Sequence, residues 1–280
     1  MSDSDGAPPD ARDLLRKYDL RPKRAFSQSF LIQPGAVAQI ADAVAELGHE
    51  VIELGPGLGA LTYALLARGC VVSAVELDRD MVHVLMREYG DEERLQIIEA
   101  DAAKYDLRAH AVTRGSKLIV TGNLPYQATG AILRRVIDDR DAVLGAVLMV
   151  QKEVRDRLIG EPGHKEYGAL TVFTQAAFEI ETVCRLRPGS FYPPPKVESA
   201  VVRLLPRETP LADENDDFRA VVRAAFQTRR KTLRNALRNL GDPDRAARAL
   251  ESAEIDPARR GETLSIAEFA LLAEHWGLAG

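Results

Sequence analysis

The chain has 280 residues, of which 46% are hydrophobic and 28% are charged, and its formal net charge is −5. A chain of this length and composition can bury one large core, or one large core and one small one. The acidic balance excludes a uniformly basic nucleic-acid-binding protein, so any contact with nucleic acid must depend on a local cluster of cations.

The N-terminal 13 residues are polar and acidic, and they resemble neither a signal peptide nor an Arg-rich transit peptide. The longest strongly apolar run, residues 142–150, is too short to span a bilayer. We therefore expect a soluble, cytoplasmic protein with a flexible segment at residues 1–24. Cys70 and Cys184 lie in apolar runs typical of reduced, buried thiols, and the His residues lack metal-ligand spacing, so no metal site is predicted.

Strand-like and helix-like patterns alternate through the first half of the chain. The predicted strands are residues 51–54, 70–77, 95–100, 117–123 and 142–150. Helical spacing follows three of them, at residues 58–68, 79–89 and 128–138. This alternation favours an α/β fold with a doubly wound, mostly parallel sheet, whose ligands bind beyond the carboxyl ends of the strands.

The character of the sequence changes after residue 205. Residues 206–217 are acidic and contain prolines, which is typical of a linker, and only helical patterns follow them. We therefore predict an α/β domain at residues 25–207 and a small all-α domain at residues 208–280.

The first predicted strand ends in a glycine-rich turn, "ELGPGLGALT", which begins at Glu53. Glycines let the backbone turn tightly and approach a ligand just before a helix N-terminus. The spacing differs from the dinucleotide fingerprint, and it adds an acid where a pyrophosphate would bind. S-adenosylmethionine instead carries an ammonium and a sulfonium, which nearby acids favour.

Acidic residues end the next two strands. Glu76 lies 21 positions after Gly55, a spacing that suits hydrogen bonds from ribose hydroxyls. Asp101 follows the third strand, where a carboxylate can accept from an adenine amino group. Either acid alone is equally consistent with a helix cap. Their succession after the glycine turn favours a nucleoside site.

The fourth strand ends in "NLPY", residues 123–126. The amino group of a nucleobase is a poor nucleophile because its lone pair is delocalised into the ring. Acceptors that bind its N–H groups restore the lone pair, and the side chain of Asn123 and the carbonyl of Leu124 provide two of them. Pro125 fixes the local backbone, and Tyr126 can stack on the base. An ordinary turn with a packed tyrosine is the alternative, but the position at a strand end favours a methyl-acceptor site.

These motifs, in this order, resemble the ribosomal RNA adenine dimethyltransferases. "FYPPPKVESAVVRL" at 191–204 and "FQTRRKTLRNAL" at 226–237 are similar, more specifically, to the KsgA/RsmA family of small-subunit rRNA dimethylases. The resemblance extends from about residue 24 to the C-terminus. It implies a Rossmann-like methyltransferase domain that uses S-adenosylmethionine as its cofactor.

The implied reaction is the transfer of two methyl groups to each of two adjacent adenosines in a hairpin near the 3′ end of 16S rRNA, during assembly of the 30S subunit. Asn123, Leu124 and Tyr126 then match the target-amine site, and Phe191 is a second aromatic wall around the base. The implied cofactor-binding residues are Gln28, Ser29, Leu31, Glu53, Gly55, Gly57, Glu76, Leu77, Asp101, Ala102 and Asn123.

Ser29 departs from the family pattern. The family has Gly-Gln-Asn-Phe where this chain reads Ser-Gln-Ser-Phe, so Ser29 replaces an Asn that contacts the cofactor, whereas Leu31 is retained. A serine offers one short hydroxyl in place of an amide. We expect a retuned or water-bridged cofactor contact, and loss of activity would leave a binding-only assembly factor.

Residues 218–241 contain seven cations and no Asp or Glu. A solvated helix face is the usual explanation of a charge run, but the absence of acids over 24 positions favours contact with phosphates. The predicted RNA-binding residues are Arg223, Arg229, Arg230, Lys231, Arg234 and Arg238, together with Lys152 and Arg155.

Three other functions stay open at this point. A related 23S rRNA methylase fits the Pro-rich and Arg-rich segments less well, and a small-molecule methyltransferase leaves them and "NLPY" unused. A binding-only assembly factor is motivated by Ser29 alone. Without a heptad pattern, we expect a monomer that acts on 16S rRNA in a 30S precursor.

Overall fold

The structure is a computed structural model that describes residues 9–23, 26, 28–241 and 243–278. Its helices are α1 Ala11–Lys17, α2 Pro34–Ala45, α3 Ala60–Ala67, α4 Arg79–Tyr89, α5 Leu107–Arg114, α6 Thr129–Asp138, α7 Lys152–Leu158, α8 Ala169–Ala177, α9 Asp216–Gln227, α10 Leu233–Leu237, α11 Pro243–Ser252 and α12 Ile266–Leu278. Its strands are β1 Phe30–Leu31, β2 Glu50–Leu54, β3 Val71–Glu76, β4 Leu95–Glu99, β5 Leu118–Asn123, β6 Val143–Gln151, β7 Phe178–Leu186, β8 Phe191–Tyr192 and β9 Ser199–Pro206.

Seven strands form one sheet in the order β4-β3-β2-β5-β6-β9-β7. The first five run parallel, and β9 is antiparallel to β6, so the predicted α/β class is confirmed. The chain order reverses between β2 and β5. The carboxyl ends of these two strands therefore border the crevice in which sheets of this kind bind their ligands.

The central strands are buried along almost their whole length, as expected of parallel strands that helices cover. On one face, Val51 and Ile119 pack with Ile40 and Val44 of α2 and with Leu65 of α3. β-branched and aliphatic residues fill this layer, and polar residues occur where the strands end. The sheet therefore presents a rigid edge from which the following loops extend.

The chain divides into two compact units, which do not coincide with the two expected domains. The first comprises Met1–Arg155 and Glu181–Pro206, and the second comprises Asp156–Ile180 and Arg207–Gly280. Residues 156–180 thus belong to the helical unit, although we expected them in the α/β domain. The physical reason is the packing of α8 on α9, where the rings of Phe173 and Phe218 meet edge to face at 6.1 Å.

The second unit is held together by helix packing around aromatic side chains. Phe218 and Phe269 are fully buried, and the ring of Phe226 lies 5.7 Å from that of Phe269. Gly261 allows its backbone to pack closely against Ala225 of α9, because a Cβ at position 261 would lie 2.7 Å from the Cβ of Ala225. A helical C-terminal region is therefore present, as predicted.

The prediction of a flexible segment at residues 1–24 is wrong for residues 11–17, which form α1. The side chain of Asp10 caps this helix by accepting from the backbone N–H of Arg12 at 2.7 Å. Leu14 and Leu15 pack in a cluster with Met81 of α4. Ala11, Leu14 and Leu15 alternate with charged residues at helical spacing, and this pattern is typical of a helix with one buried face. Residues 1–8 and 24 lie outside the described residues.

Two expected absences concern membranes and metals. Over the described ranges, no helix combines the length and the apolar character needed to cross a bilayer. The same part of the chain contains no group of His, Cys, Asp and Glu that could hold a metal ion. Cys70 is buried, Cys184 is half-buried, and neither forms a disulfide.

Candidate functional site

A cavity of about 330 Å³ opens at the carboxyl ends of the central strands, within the first unit. Its walls come from the turns after β2, β3, β4 and β5, from residues 28–31, and from Phe191. Three acids line it, namely Glu53, Glu76 and Asp101, and none of the described lining residues is Lys or Arg. Such a lining favours a ligand with cationic groups and disfavours a pyrophosphate.

The glycine turn after β2 requires its glycines. Gly55, Gly57 and Gly59 have φ values of 73°, 58° and 83°, in the left-handed region that side chains disfavour. A Cβ at Gly57 would also lie 3.1 Å from the ring of Phe30. The backbone N–H of Gly57 donates to Glu76 at 3.0 Å, so the turn is joined to the end of the neighbouring strand.

Glu76 is a buried acceptor with fixed orientation. Its carboxylate also accepts from the N–H groups of Leu77 and Asp78, at 2.8 and 2.9 Å. Burial raises its pKa, and the three backbone N–H groups oppose that effect. The helix-cap alternative for Glu76 is wrong, because Asp78 caps α4 by accepting from the N–H of Asp80.

Glu53 lies beneath the glycine turn and is 2% exposed. The hydroxyl of Thr62 donates to its carboxylate at 2.6 Å. Burial raises the pKa of Glu53 to about 7, and the charge of Glu76 acts in the same direction. A cationic ligand group in the cavity would favour the ionised form, so this acid is placed to respond to such a ligand.

Asp101 begins a turn and also lines the cavity. It accepts from the N–H of Ala103 at 3.0 Å, and Lys104 lies 3.6 Å from its second oxygen. No helix begins here, since α5 starts six residues later with Asp106 as its cap. Ala102 and the half-exposed Leu77 lie beside it in the cavity wall, so the structure brings the predicted strand-end residues together.

The "NLPY" loop is fixed at several points. The side-chain nitrogen of Asn123 donates to the backbone carbonyl of Ser29 at 2.9 Å, and the N–H of Leu124 donates to Met149 of β6 at 3.1 Å. The carbonyl of Pro125 accepts from the N–H of Thr129 at 3.0 Å, which begins α6. Asn123 therefore ends β5, and the loop that follows it is held by hydrogen bonds to β6 and to the start of α6.

Two aromatic side chains lie in the cavity wall. Tyr126 is half-buried; burial raises its pKa, and hydrogen bonding with Ser199 and Gln151 opposes that effect. Phe191 is 3% exposed and belongs to β8, where it pairs with Leu31 of β1. Both rings were expected around a base, and both line the same cavity as Asn123.

The residues before α2 also reach the cavity, but their polar atoms already have protein partners. The side chain of Gln28 donates to Asp78 and accepts from the N–H of Lys23, both at 2.7 Å. The hydroxyl of Ser29 donates to the carbonyl of Pro193 at 2.6 Å. Toward the cavity, Ser29 therefore retains acceptor capacity only.

Gly122 is a site residue that the sequence analysis missed. It has a φ of 152°, and a Cβ there would lie 2.2 Å from the carbonyl oxygen of Leu54. Only glycine lets β5 approach the end of β2 this closely, immediately before Asn123. A glycine inside a strand, next to a polar motif, was the available signal.

The predicted RNA-binding residues fall into three groups. Five of these predicted residues are exposed and, within the described residues, have neither an ion pair nor a side-chain hydrogen bond: Arg223, Arg230, Lys231, Arg234 and Arg238. Arg229 instead binds Glu262 and the carbonyl of Tyr167, at 3.1 and 3.0 Å. Lys152 is exposed.

The prediction is wrong for Arg155, which is only 6% exposed and so does not form part of an accessible basic surface. In α7 it lies three residues before the fully buried Leu158, so helical periodicity places both on the buried face. A helix of seven residues is too short for its periodicity to identify the buried face from the sequence alone.

The chain is similar to known proteins both in sequence and in fold. Residues 20–276 match the family described as "Ribosomal RNA adenine dimethylase". "Ribosomal RNA small subunit methyltransferase A" of Anaeromyxobacter sp. (strain K) is 45% identical over 283 residues, covering 96% of this chain and 98% of that protein. A dimethyladenosine transferase structure from Plasmodium falciparum has a TM-score of 0.74 at 26% identity, covering 90% and 98% of the two chains. The 23S rRNA methyltransferase ErmE has a TM-score of 0.66 at 25% identity, covering 89% and 99%.

Proposed function

Because the chain belongs to the ribosomal RNA adenine dimethylase family, we propose that it methylates the 6-amino groups of two adjacent adenosines in the 3′-terminal hairpin of 16S rRNA. S-adenosylmethionine is the methyl donor, and the substrate is a precursor of the 30S subunit in the cytoplasm. The observation that carries this proposal is the amide of Asn123, held at the end of β5 in a cavity with three acids and no described lining cation.

The residues of the cavity fit S-adenosylmethionine. Glu76 offers a buried carboxylate for ribose hydroxyls, and Asp101 is placed to accept from the adenine amino group. Glu53 adds negative charge beneath the glycine turn, where it favours cationic groups over phosphates. When bound, the cofactor supplies an electrophilic methyl group.

Asn123 and Leu124 prepare the adenine amine for attack. In the first transfer, the two N–H groups of the amine donate to the Asn123 side-chain oxygen and to the Leu124 carbonyl, which draws the nitrogen toward tetrahedral geometry and localises its lone pair. In the second transfer, the remaining N–H donates to one of these two acceptors. Tyr126 and Phe191 line the space for the base and restrict its position. The methylated nitrogen carries an acidic proton that solvent can accept, so a dedicated side-chain base is not required.

The basic residues of the second unit supply the contact with RNA. Five exposed cations without a described carboxylate partner keep their charge available for phosphates. Arg229 stabilises the fold of its own unit through Glu262, so its contribution to RNA binding is smaller. The protein acts as a monomer in this proposal.

A competition between ribosomal particles tests the proposed function. Undermethylated 30S and 50S particles are incubated together with the protein and labelled S-adenosylmethionine, and the two RNAs are then separated. We expect label in 16S rRNA alone, and no detectable label with Asn123→Ala over the time in which wild type completes the reaction. Label in 23S rRNA would favour a 23S rRNA methylase, as the structural neighbour ErmE is described, and tight 30S binding without label would leave a binding-only factor.

A further inference from the structure

We propose that Ser29 is a positioning residue, which orients the amide of Asn123 and holds it in register with the aromatic wall at Phe191. This inference rests on the proposed function, because it assumes that the amide oxygen of Asn123 receives the target amine. It departs from the expectation that the side chain of Ser29 serves the cofactor, because the single hydroxyl proton of Ser29 is donated to the carbonyl of Pro193.

The first contact decides which end of the amide faces the substrate. A backbone carbonyl can only accept, so the Ser29 carbonyl selects the nitrogen of the Asn123 amide, 2.9 Å away. The planar amide then directs its oxygen away from Ser29. Rotating the amide by half a turn would place two acceptors against each other. Within the described residues, no protein group donates to the Asn123 side-chain oxygen, which stays available as an acceptor.

The second contact fastens Ser29 to the segment that carries Phe191. The Ser29 hydroxyl donates to the carbonyl of Pro193 at 2.6 Å. Next to it, β1 and β8 pair with Phe30 opposite Tyr192 and Leu31 opposite Phe191. The N–H of Ile32 continues this ladder to the carbonyl of Ser190 at 2.9 Å. The hydroxyl therefore closes one end of a short two-stranded sheet.

Together the two contacts join parts of the site that are far apart in the sequence. The carbonyl of Ser29 fixes the amine acceptor, and its hydroxyl fixes the strand that bears one aromatic wall. Loss of the hydroxyl leaves the carbonyl in place but frees the backbone that positions it. Because methyl transfer needs near-attack geometry, a small displacement lowers the rate without removing any group that touches the substrate.

Ser29→Ala and Ser29→Thr form the matched pair for the test. We expect Ser29→Ala to lower single-turnover methyl transfer to 30S particles about tenfold, with the calorimetric Kd for S-adenosylmethionine within about twofold of wild type. Ser29→Thr restores the hydroxyl and most of the rate. Unchanged transfer in Ser29→Ala would overturn the proposal, as would a large loss of cofactor affinity at an unchanged rate.

A second measurement does not depend on whether Ser29→Ala folds. In wild-type protein, we expect the side-chain NH₂ of Asn123, assigned by its absence in Asn123→Ser, to exchange slowly with solvent because it donates to Ser29. Free exchange would contradict the proposal. A failure of the proposed function looks different, because wild-type protein would then form no dimethyladenosine in any particle.

Discussion

The two units of this molecule use charge in opposite ways. The cavity of the first unit gathers three acids, two of them buried deeply enough that their pKa values rise. The second unit carries a cluster of cations that face solvent and have no described carboxylate partner, namely Arg223, Arg230, Lys231, Arg234 and Arg238. Buried charge acts on a ligand at short range, whereas exposed charge acts on a polyanion through a field that salt screens. The net charge of −5 therefore describes neither site.

The largest expected effect separates catalysis from cofactor binding inside the cavity. Asn123→Ala removes the proposed acceptor of the target amine while leaving Glu53, Glu76 and Asp101 in place. We expect methyl transfer to fall by about a thousandfold, the loss typical of a fixed polar group in an active site. Calorimetry should find cofactor affinity nearly unchanged. Full transfer by the variant would exclude the role given to Asn123.

The close approach of β5 to β2 can be tested with two glycines of the same region. Gly122→Ala places a Cβ against the carbonyl of Leu54, and we expect the free energy of unfolding to drop by about 3 kcal/mol. Gly130→Ala is the matched control, since a Cβ there meets nothing within 4 Å and the residue lies in α6. Urea denaturation of both variants measures the difference, and equal stabilities would contradict this account of Gly122.

The buried acid Glu53 should make ligand-free stability depend on pH. Its raised pKa of about 7 means that the folded chain holds the proton more tightly than the unfolded chain. The stability contributed by the protonated form is present at low pH and is lost as pH rises through about 7. Relative to that of Glu53→Gln, the free energy of unfolding of wild type should fall by on the order of 3 kcal/mol between about pH 5 and pH 8. Parallel stability curves would show that Glu53 titrates normally.

The same acid should act on the cofactor in the opposite sense. Ionised Glu53 attracts a cationic ligand, so the affinity of wild type for S-adenosylmethionine should increase as pH rises through about 7. Glu53→Gln should show a flat profile over that range. A profile that is equally steep in the variant would assign the pH dependence to another group.

The smallest expected effect concerns the exposed cations. Arg230→Ala combined with Arg234→Ala should weaken binding to 30S particles about tenfold and reduce the salt dependence of binding by about one unit of slope per arginine. Arg79→Ala is the control, because it removes an exposed cation of the first unit that pairs with Glu99 at 2.7 Å. If the control weakened binding equally, the contrast between the two units would fail.

The sequence predicted those elements whose pattern is local and long. β2, β3, β5 and β6 were recognisable from apolar runs, and the parallel sheet placed their ends along one edge. Gly55, Glu76, Asp101 and Asn123 therefore came together as expected. The helix α5, in which charged residues interrupt the apolar positions, was not predicted.

What the sequence did not reveal depends on contacts between distant segments. Ser29 and Asn123 are 94 positions apart, and nothing in either motif indicates that one orients the other. The clash that makes Gly122 necessary involves the backbone of a neighbouring strand. Arg155 read as a surface cation because a helix of seven residues gives too short a period to assign its buried face.

The most direct test of the central claim is the mass of the 3′-terminal 16S rRNA fragment after reaction with undermethylated 30S particles. We predict that wild-type protein adds four methyl groups, as two dimethyladenosines in adjacent positions, and that Asn123→Ala adds none detectable in the same reaction time. An unchanged fragment mass in the presence of wild-type protein and S-adenosylmethionine would contradict this account.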